Sequence, residues 1–126
     1  MRPLKKILHI DDDAVMRMMV QKSLERSSQD FEVVNCITVE DFMEKLSSFN
    51  PDLLIIDVVM PIIDGPILLE RVRRLGNRTP AIFMTGQENI EFKGREKLEP
   101  IIGIIHKPFS PSLLGEDLIN LWKNKA

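Results

Sequence analysis

Cysteine is all but absent from this chain: Cys36 stands alone, so no internal disulfide can form, and a single thiol fits a reducing compartment. Long apolar runs are missing as well. Basic Arg2, Lys5 and Lys6 precede only Ile7 to Ile10, with His9 inside, which is far too short for a signal-peptide core or a membrane span. Cytoplasm is the expected compartment, and no membrane is expected as a partner. Nor does charge of one sign dominate. Seventeen Lys and Arg against nineteen Asp and Glu leave a formal charge of −2, which gives no electrostatic footing for direct binding of nucleic acid. Repeats, linkers and low-complexity segments are also lacking, so residues 1–126 are read as one domain, long enough to bury well over half of its unfolded surface.

What the chain does contain is an alternation of short apolar runs and amphipathic segments. Ile7 to Ile10 predicts a strand, followed by a helix with Met16, Met19, Val20 and Leu24 at helical spacing. His9 lies inside that strand and reads as a structural imidazole. Asp13 is placed to cap the helix. Phe31 to Cys36 predicts a second strand, and Thr38, with Asp41 three residues later, opens a helix carrying Val39, Phe42 and Leu46 inward. Asn50-Pro51 ends it. Leu53 to Ile56 is a buried strand with Asp57 at its mouth, and Asp64-Gly65-Pro66 starts a third helix with Leu68, Leu69 and Val72 inward. Arg71, Arg73 and Arg74 read as a solvated face of that helix.

Pro80 to Met84 predicts a fourth strand that runs into Thr85-Gly86. The segment Gln87 to Glu99, interrupted by Gly94 and anchored only by Ile90, Phe92 and Leu98, is expected to be helical but mobile. Ile101 to Ile105 is the last strand, and Ser110-Pro111 is expected to start a last helix with Leu114, Leu118, Leu121 and Trp122 facing in. Five strands alternating with five helices predict a doubly wound α/β sheet, all parallel, with right-handed crossovers. In a flavodoxin-like order, 2-1-3-4-5, the ends of the first and third strands lie side by side at the switch point. Asp11, Asp12 and Asp57 then converge.

Three carboxylates at one edge repel by about 4 kcal/mol per close pair at a moderate effective dielectric, so the cluster calls for a cation. All-oxygen ligands suit a hard ion such as Mg2+. Lys107 adds a permanent positive charge, Thr85 a hydroxyl donor, and Gly86 leaves room beside it. An acid nucleophile, a hard metal ion, a lysine and a hydroxyl make a site for phosphoryl transfer.

The stretches Ile7-Leu8-His9-Ile10-Asp11-Asp12-Asp13, Asp57-Val58-Val59-Met60-Pro61-Ile62-Ile63-Asp64-Gly65, Thr85-Gly86 and Lys107-Pro108-Phe109 together resemble the receiver domain of two-component response regulators, over nearly the whole chain. The resemblance implies that Asp57 accepts a phosphoryl group from a phosphohistidine on a sensor histidine kinase or a histidine phosphotransfer protein. It implies that Asp11, Asp12, Asp57 and the backbone carbonyl of Val59 hold Mg2+, that Thr85 bonds the phosphoryl oxygen, and that Lys107 pairs with it. It implies no turnover of a free substrate, only the domain's own phosphorylation and dephosphorylation. The Lys107-Pro108 bond is expected to be cis, a form that about 5–6% of such bonds adopt.

One position departs from the pattern: Ile104 stands where the family often carries an aromatic switch residue. Activation is therefore expected to act through the order of the fourth helix, with a downstream effector or a second copy binding across the fourth helix, last strand and last helix. The chain is either a stand-alone regulator or a receiver from a longer one. A haloacid-dehalogenase-like phosphatase shares strand-end aspartates and a lysine, but its threonine two residues beyond the paired acids is here Val15. A flavodoxin would set three acids against its flavin phosphate. A non-phosphorylated pseudo-receiver normally lacks one of the acids or the lysine.

Overall fold

The computed structural model describes residues 2–87, 91 and 94–125. Its elements in chain order are β1 (Lys6–Ile10), α1 (Ala14–Glu25), β2 (Glu32–Cys36), α2 (Val39–Ser48), β3 (Leu53–Asp57), α3 (Gly65–Arg74), β4 (Ala81–Thr85), α4 (Arg95–Leu98), β5 (Ile101–His106) and α5 (Leu114–Lys123). The strands form one sheet in the order β2-β1-β3-β4-β5, and every pairing is parallel. This is the flavodoxin-like arrangement expected from the alternation of elements.

Burial explains the order. All five residues of β3 and all five of β4 are buried, as central strands covered on both faces require. Side chains alternate between two apolar layers. Leu8, Ile10, Leu54, Ile56 and Phe83 meet Phe42, Leu46, Leu68 and Val72 on one face. Ile7, Leu53, Ile55, Ile82 and Met84 meet Val20, Leu24, Leu118 and Trp122 on the other.

Helix starts follow from short polar side chains that reach free backbone N–H groups. Asp13 accepts from the N–H of Val15 and Met16, Thr38 from Asp41, and Asp64 from Ile67. Asp41 does not complete a capping box, because its carboxylate accepts from Lys45 one turn on. Beyond α2, Asn50 takes the left-handed conformation at φ 52, which an asparagine tolerates, and Pro51 then prevents the helix from continuing.

Three sequence expectations are corrected. The Ser110-Pro111 start is a turn: the Leu113 and Leu114 N–H groups both donate to the Ser110 carbonyl, and α5 begins only at Leu114 with no side-chain cap. Phe109, immediately before the turn, is buried in the same apolar layer as Leu114 and Leu118. Arg73 is not part of a solvated face. Its guanidinium donates to the carbonyls of Leu98 (2.9 Å), Asn77 (3.2 Å), Thr79 (2.7 Å) and Pro100 (3.0 Å), tying the end of α3 to the starts of β4 and β5. Burial, helped by Arg78, pushes its pKa down to about 10, which leaves it charged at neutral pH, and four carbonyl dipoles solvate that charge. Within Gln87 to Glu99, helix is present at Arg95–Leu98, while Gln87 and Glu91 are not helical. Residues 88–90, 92 and 93, including the proposed anchors Ile90 and Phe92, lie outside the described residues.

Candidate functional site

Strand register builds the site. Ile10 pairs with Ile56, so the residues that follow, Asp11 and Asp57, leave adjacent parallel strands side by side. Asp57 in turn pairs with Met84, which sets Thr85 one residue further along, and Thr85 pairs with His106, so that Lys107 is next. The Lys107 N–H donates to the Thr85 carbonyl at 2.7 Å. Four strand ends thus deliver their polar residues to one edge, the carboxyl edge where open α/β sheets bind ligands.

Asp11, Asp12 and Asp57 offer carboxylate oxygens that all lie within 4.8 Å of one another. Asp11 and Asp57 are buried while Asp12 is exposed. Lys107 spans the two buried acids, its Nζ donating to Asp57 Oδ1 at 2.9 Å and to Asp11 Oδ2 at 3.2 Å. Burial pushes the Asp57 carboxyl above the usual carboxylate range, against the bond from Lys107 and with help from Asp11 and Asp12. For Lys107, burial works downward but is outweighed by the bond to Asp57 and the charge of Asp11, so its pKa is raised. One ammonium therefore leaves the acid cluster under-neutralised. An all-oxygen donor set of this kind fits a hard divalent cation such as Mg2+.

The other residues named from the sequence fall around this cluster. Thr85 is buried at the end of β4, and its hydroxyl oxygen accepts from the Gln87 N–H at 3.0 Å. Val59 lies two residues past Asp57 and is 62% exposed. Ile104 pairs with Phe83 across β4 and β5 and packs, half-buried, on the layer that contains Leu98 and Ile101. The Asp13 side chain caps α1 and is not among the clustered carboxylates, while its backbone N–H donates to Asp11 Oδ1 at 2.9 Å. The Lys107–Pro108 bond is cis, as the resemblance implied; Glu99–Pro100 is cis too.

Several contributors were not evident from the sequence. Arg17, one turn into α1, donates from Nη1 to the Asp11 carbonyl at 2.7 Å and holds the end of β1. Gly65 opens α3 so close to the end of β3 that a Cβ there would lie 2.5 Å from the Asp57 carbonyl oxygen. Its place in the Asp64-Gly65 pair was the available signal, though a turn explains that pair equally well. His9, read from the sequence as a structural imidazole, is fully buried, and burial lowers its pKa, which favours the neutral ring. A groove of about 840 Å³ between α1 and α5 is lined by Lys22, Ser27, Gly115 and Ile119 and does not include Asp11, Asp12 or Asp57.

A five-stranded parallel sheet with an acid cluster and a bridging lysine at the ends of its strands defines a receiver-type signalling domain. A family model described as "Response regulator receiver domain" matches residues 7–119, and the chain belongs to that family. Phosphorelay signal transduction in two-component systems is its context. Among curated relatives, the alkaline phosphatase synthesis transcriptional regulatory protein PhoP of Bacillus subtilis is 29% identical over 85% of this chain and 44% of its own length. The Regulator of RpoS of Escherichia coli is 35% identical over 68% of this chain and 25% of its own. The chain thus spans less than half the length of these relatives. Among solved structures, the chemotaxis protein CheY4 of Vibrio cholerae matches with a TM-score of 0.80 at 28% identity, covering 94% of this chain and 98% of that one. A putative response regulator from Chloroflexus aurantiacus matches at 0.78 and 29%, covering 98% and 100%. No helix among the described residues is long and apolar enough to cross a membrane.

Proposed function

We propose that Asp57 is the phosphoacceptor of this receiver and that phosphoryl transfer to it needs a divalent cation. The observation that carries the reading is the Lys107 ammonium, held between Asp57 Oδ1 and Asp11 Oδ2 beside a third carboxylate. A carboxylate oxygen of Asp57 attacks the phosphorus of a phosphohistidine. The P–N bond breaks, the leaving imidazole takes a proton, and an acyl phosphate remains on Asp57. Asp11, Asp12, Asp57 and the Val59 carbonyl would hold Mg2+, which supplies charge neutralisation on the transferred oxygens. Lys107 moves from the free carboxylate to a phosphoryl oxygen, and the Thr85 hydroxyl, already at the edge of the site, donates to another. The domain catalyses only its own phosphorylation and dephosphorylation. Its partners on this reading are a sensor histidine kinase or histidine phosphotransfer protein and, downstream, an effector or a second copy bound across α4, β5 and α5. The cytoplasm is its compartment.

The reading is tested by treating the protein with a small phosphoryl donor, with Mg2+ and with chelator, and measuring intact mass. One added phosphoryl group that requires Mg2+ and is lost in Asp57→Asn is expected. Equal modification of Asp57→Asn would overturn the assignment.

A further inference from the structure

His9 Nε2 is fully buried and, among the described residues, is the one buried side-chain nitrogen or oxygen without a hydrogen-bond partner. It lies 3.9 Å from Asp11 Oδ2, a contact that would be an ion pair only if the ring were charged. A buried polar atom left open costs stability, so its position next to a metal-binding carboxylate calls for a reason.

The rest of the ring is fully engaged, and its partners fix which nitrogen bears the proton. On the exposed face of α1, the Glu25 carboxylate can only accept, so the amide group of Gln21 must point its Nε2 there, at 2.8 Å. Gln21 Oε1 then faces inward and accepts from Asn35 Nδ2 on β2. That leaves Asn35 Oδ1 toward His9 Nδ1 at 2.8 Å, where it accepts the ring's proton. The ring is therefore the Nδ1–H tautomer, and its Nε2 lone pair points at Asp11. The opposite tautomer would place a hydrogen-bond donor there and bring the positive end of the imidazole dipole toward the cation site.

Resting on the metal reading above, we propose that His9 is a positioning residue of the cation site: the relay Glu25–Gln21–Asn35 locks it so that a lone pair, not an N–H, faces Asp11. Asp11 Oδ2 then has no donor from the core. Among the described residues Lys107 Nζ is the one side-chain donor it meets, and the oxygen is left directed at cations. The negative end of the imidazole dipole adds to the field that draws a divalent ion to Asp11, Asp12 and Asp57. A surface residue of α1 thereby sets the polarity of a buried group on β1 through Asn35 of β2.

Imidazole 15N shifts of the metal-free protein read the tautomer directly, and isothermal titration with Mg2+ at physiological ionic strength reads the affinity. Wild type is expected to show protonated Nδ1 and bare Nε2. Asn35→Leu removes the acceptor of Nδ1–H, and the ring is expected to switch to Nε2–H donating to Asp11, with Mg2+ binding weakened about five- to tenfold. Gln21→Lys, on the half-buried face of α1, serves if Asn35→Leu does not fold: a donor there turns Asn35 around and forces the same switch. Protonated Nε2 in wild type would overturn the proposal, and so would a switched tautomer with unchanged Mg2+ affinity. Failure of the metal reading is distinguishable, because wild-type protein that takes up no Mg2+ fails at titration whatever its tautomer.

Discussion

Lys107 and Asp57 meet at 2.9 Å, yet the carboxyl of Asp57 remains above its usual range because burial and two further acids outweigh the lysine. The sign of its pH dependence follows. A group whose folded pKa exceeds its unfolded one contributes stability below the unfolded value, about 3.8, and loses it as pH rises through the folded value. At neutral pH the metal-free protein therefore carries a penalty. Asp57→Asn should raise metal-free stability at pH 7 by on the order of 1 kcal/mol in urea melts, with the gain shrinking on acidification and on addition of Mg2+.

Asp12 and Asp13 are neighbours with different work. Asp12→Ala should weaken Mg2+ binding while leaving metal-free stability unchanged or higher, because a repelling charge is gone. Asp13→Ala should instead cost about 1 kcal/mol, since its carboxylate accepts from two N–H groups at the start of α1, and should keep most of the metal affinity. Parallel denaturation and Mg2+ titration separate the two.

Arg73 serves the fold from the opposite end of the sheet. Arg73→Met leaves the carbonyls of Leu98 and Thr79 without the guanidinium that bonds them, removes one of the two donors to Pro100, which keeps the Ala81 N–H, and should lower stability by about 2–4 kcal/mol, while phosphorylation per folded molecule is unchanged. Amide exchange should accelerate at Ala81 and Ile101, the first residues of β4 and β5.

Cys36 has no route to reactivity in the native state. Burial and the adjacent Asp41 push its thiol up to about 12, so at pH 8 only about one molecule in ten thousand carries a thiolate. Alkylation of the native protein at pH 8 should follow global unfolding, and denaturant should accelerate it by orders of magnitude.

Output is expected to pass through α4 and β5. Ile104, stiff at its first torsion and half-buried against the layer holding Leu98, can transmit a shift of Thr85 only by small repacking. Hydrogen exchange with and without a phosphoryl mimic should change at Arg95–Leu98 and Ile101–His106. Unchanged exchange there, with changes on another face, would sink this route.

The sheet was legible because its signals are local. Short apolar runs ending in Asp11, Asp57, Thr85 and Lys107 fix strand type and polarity, and parallel order brings those ends together. The cap at Asp13 was legible for the same reason, since a cap needs only the next turn. What escaped depends on partners far along the chain. Three charged residues in four, Arg71 to Arg74, look alike until the loop carbonyls arrive to claim the middle one. The start of α5 lies later than expected because Ser110-Pro111 serves a turn as readily as a first helical turn, and here the Ser110 carbonyl closes a turn onto Leu113 and Leu114. His9 was placed in the core, but its bonding needed Asn35, whose partner lies on another element still.

Gly65 gives position 65 an unusual intolerance. The neighbouring Pro66 is half-buried and Ile67 is 48% exposed, and both line an open surface groove. At 65 even one added methyl meets main-chain atoms of Asp57 and Val58, which have no rotamer to retreat into. A substitution there displaces the acid-bearing strand end or the whole of α3, and either movement spoils the alignment of Asp57 with Lys107. In a saturation-mutagenesis map of signalling, residue 65 should stand out as a narrow column of loss beside tolerant neighbours, although it bears no charge, ligand or hydrogen-bonding side chain of its own.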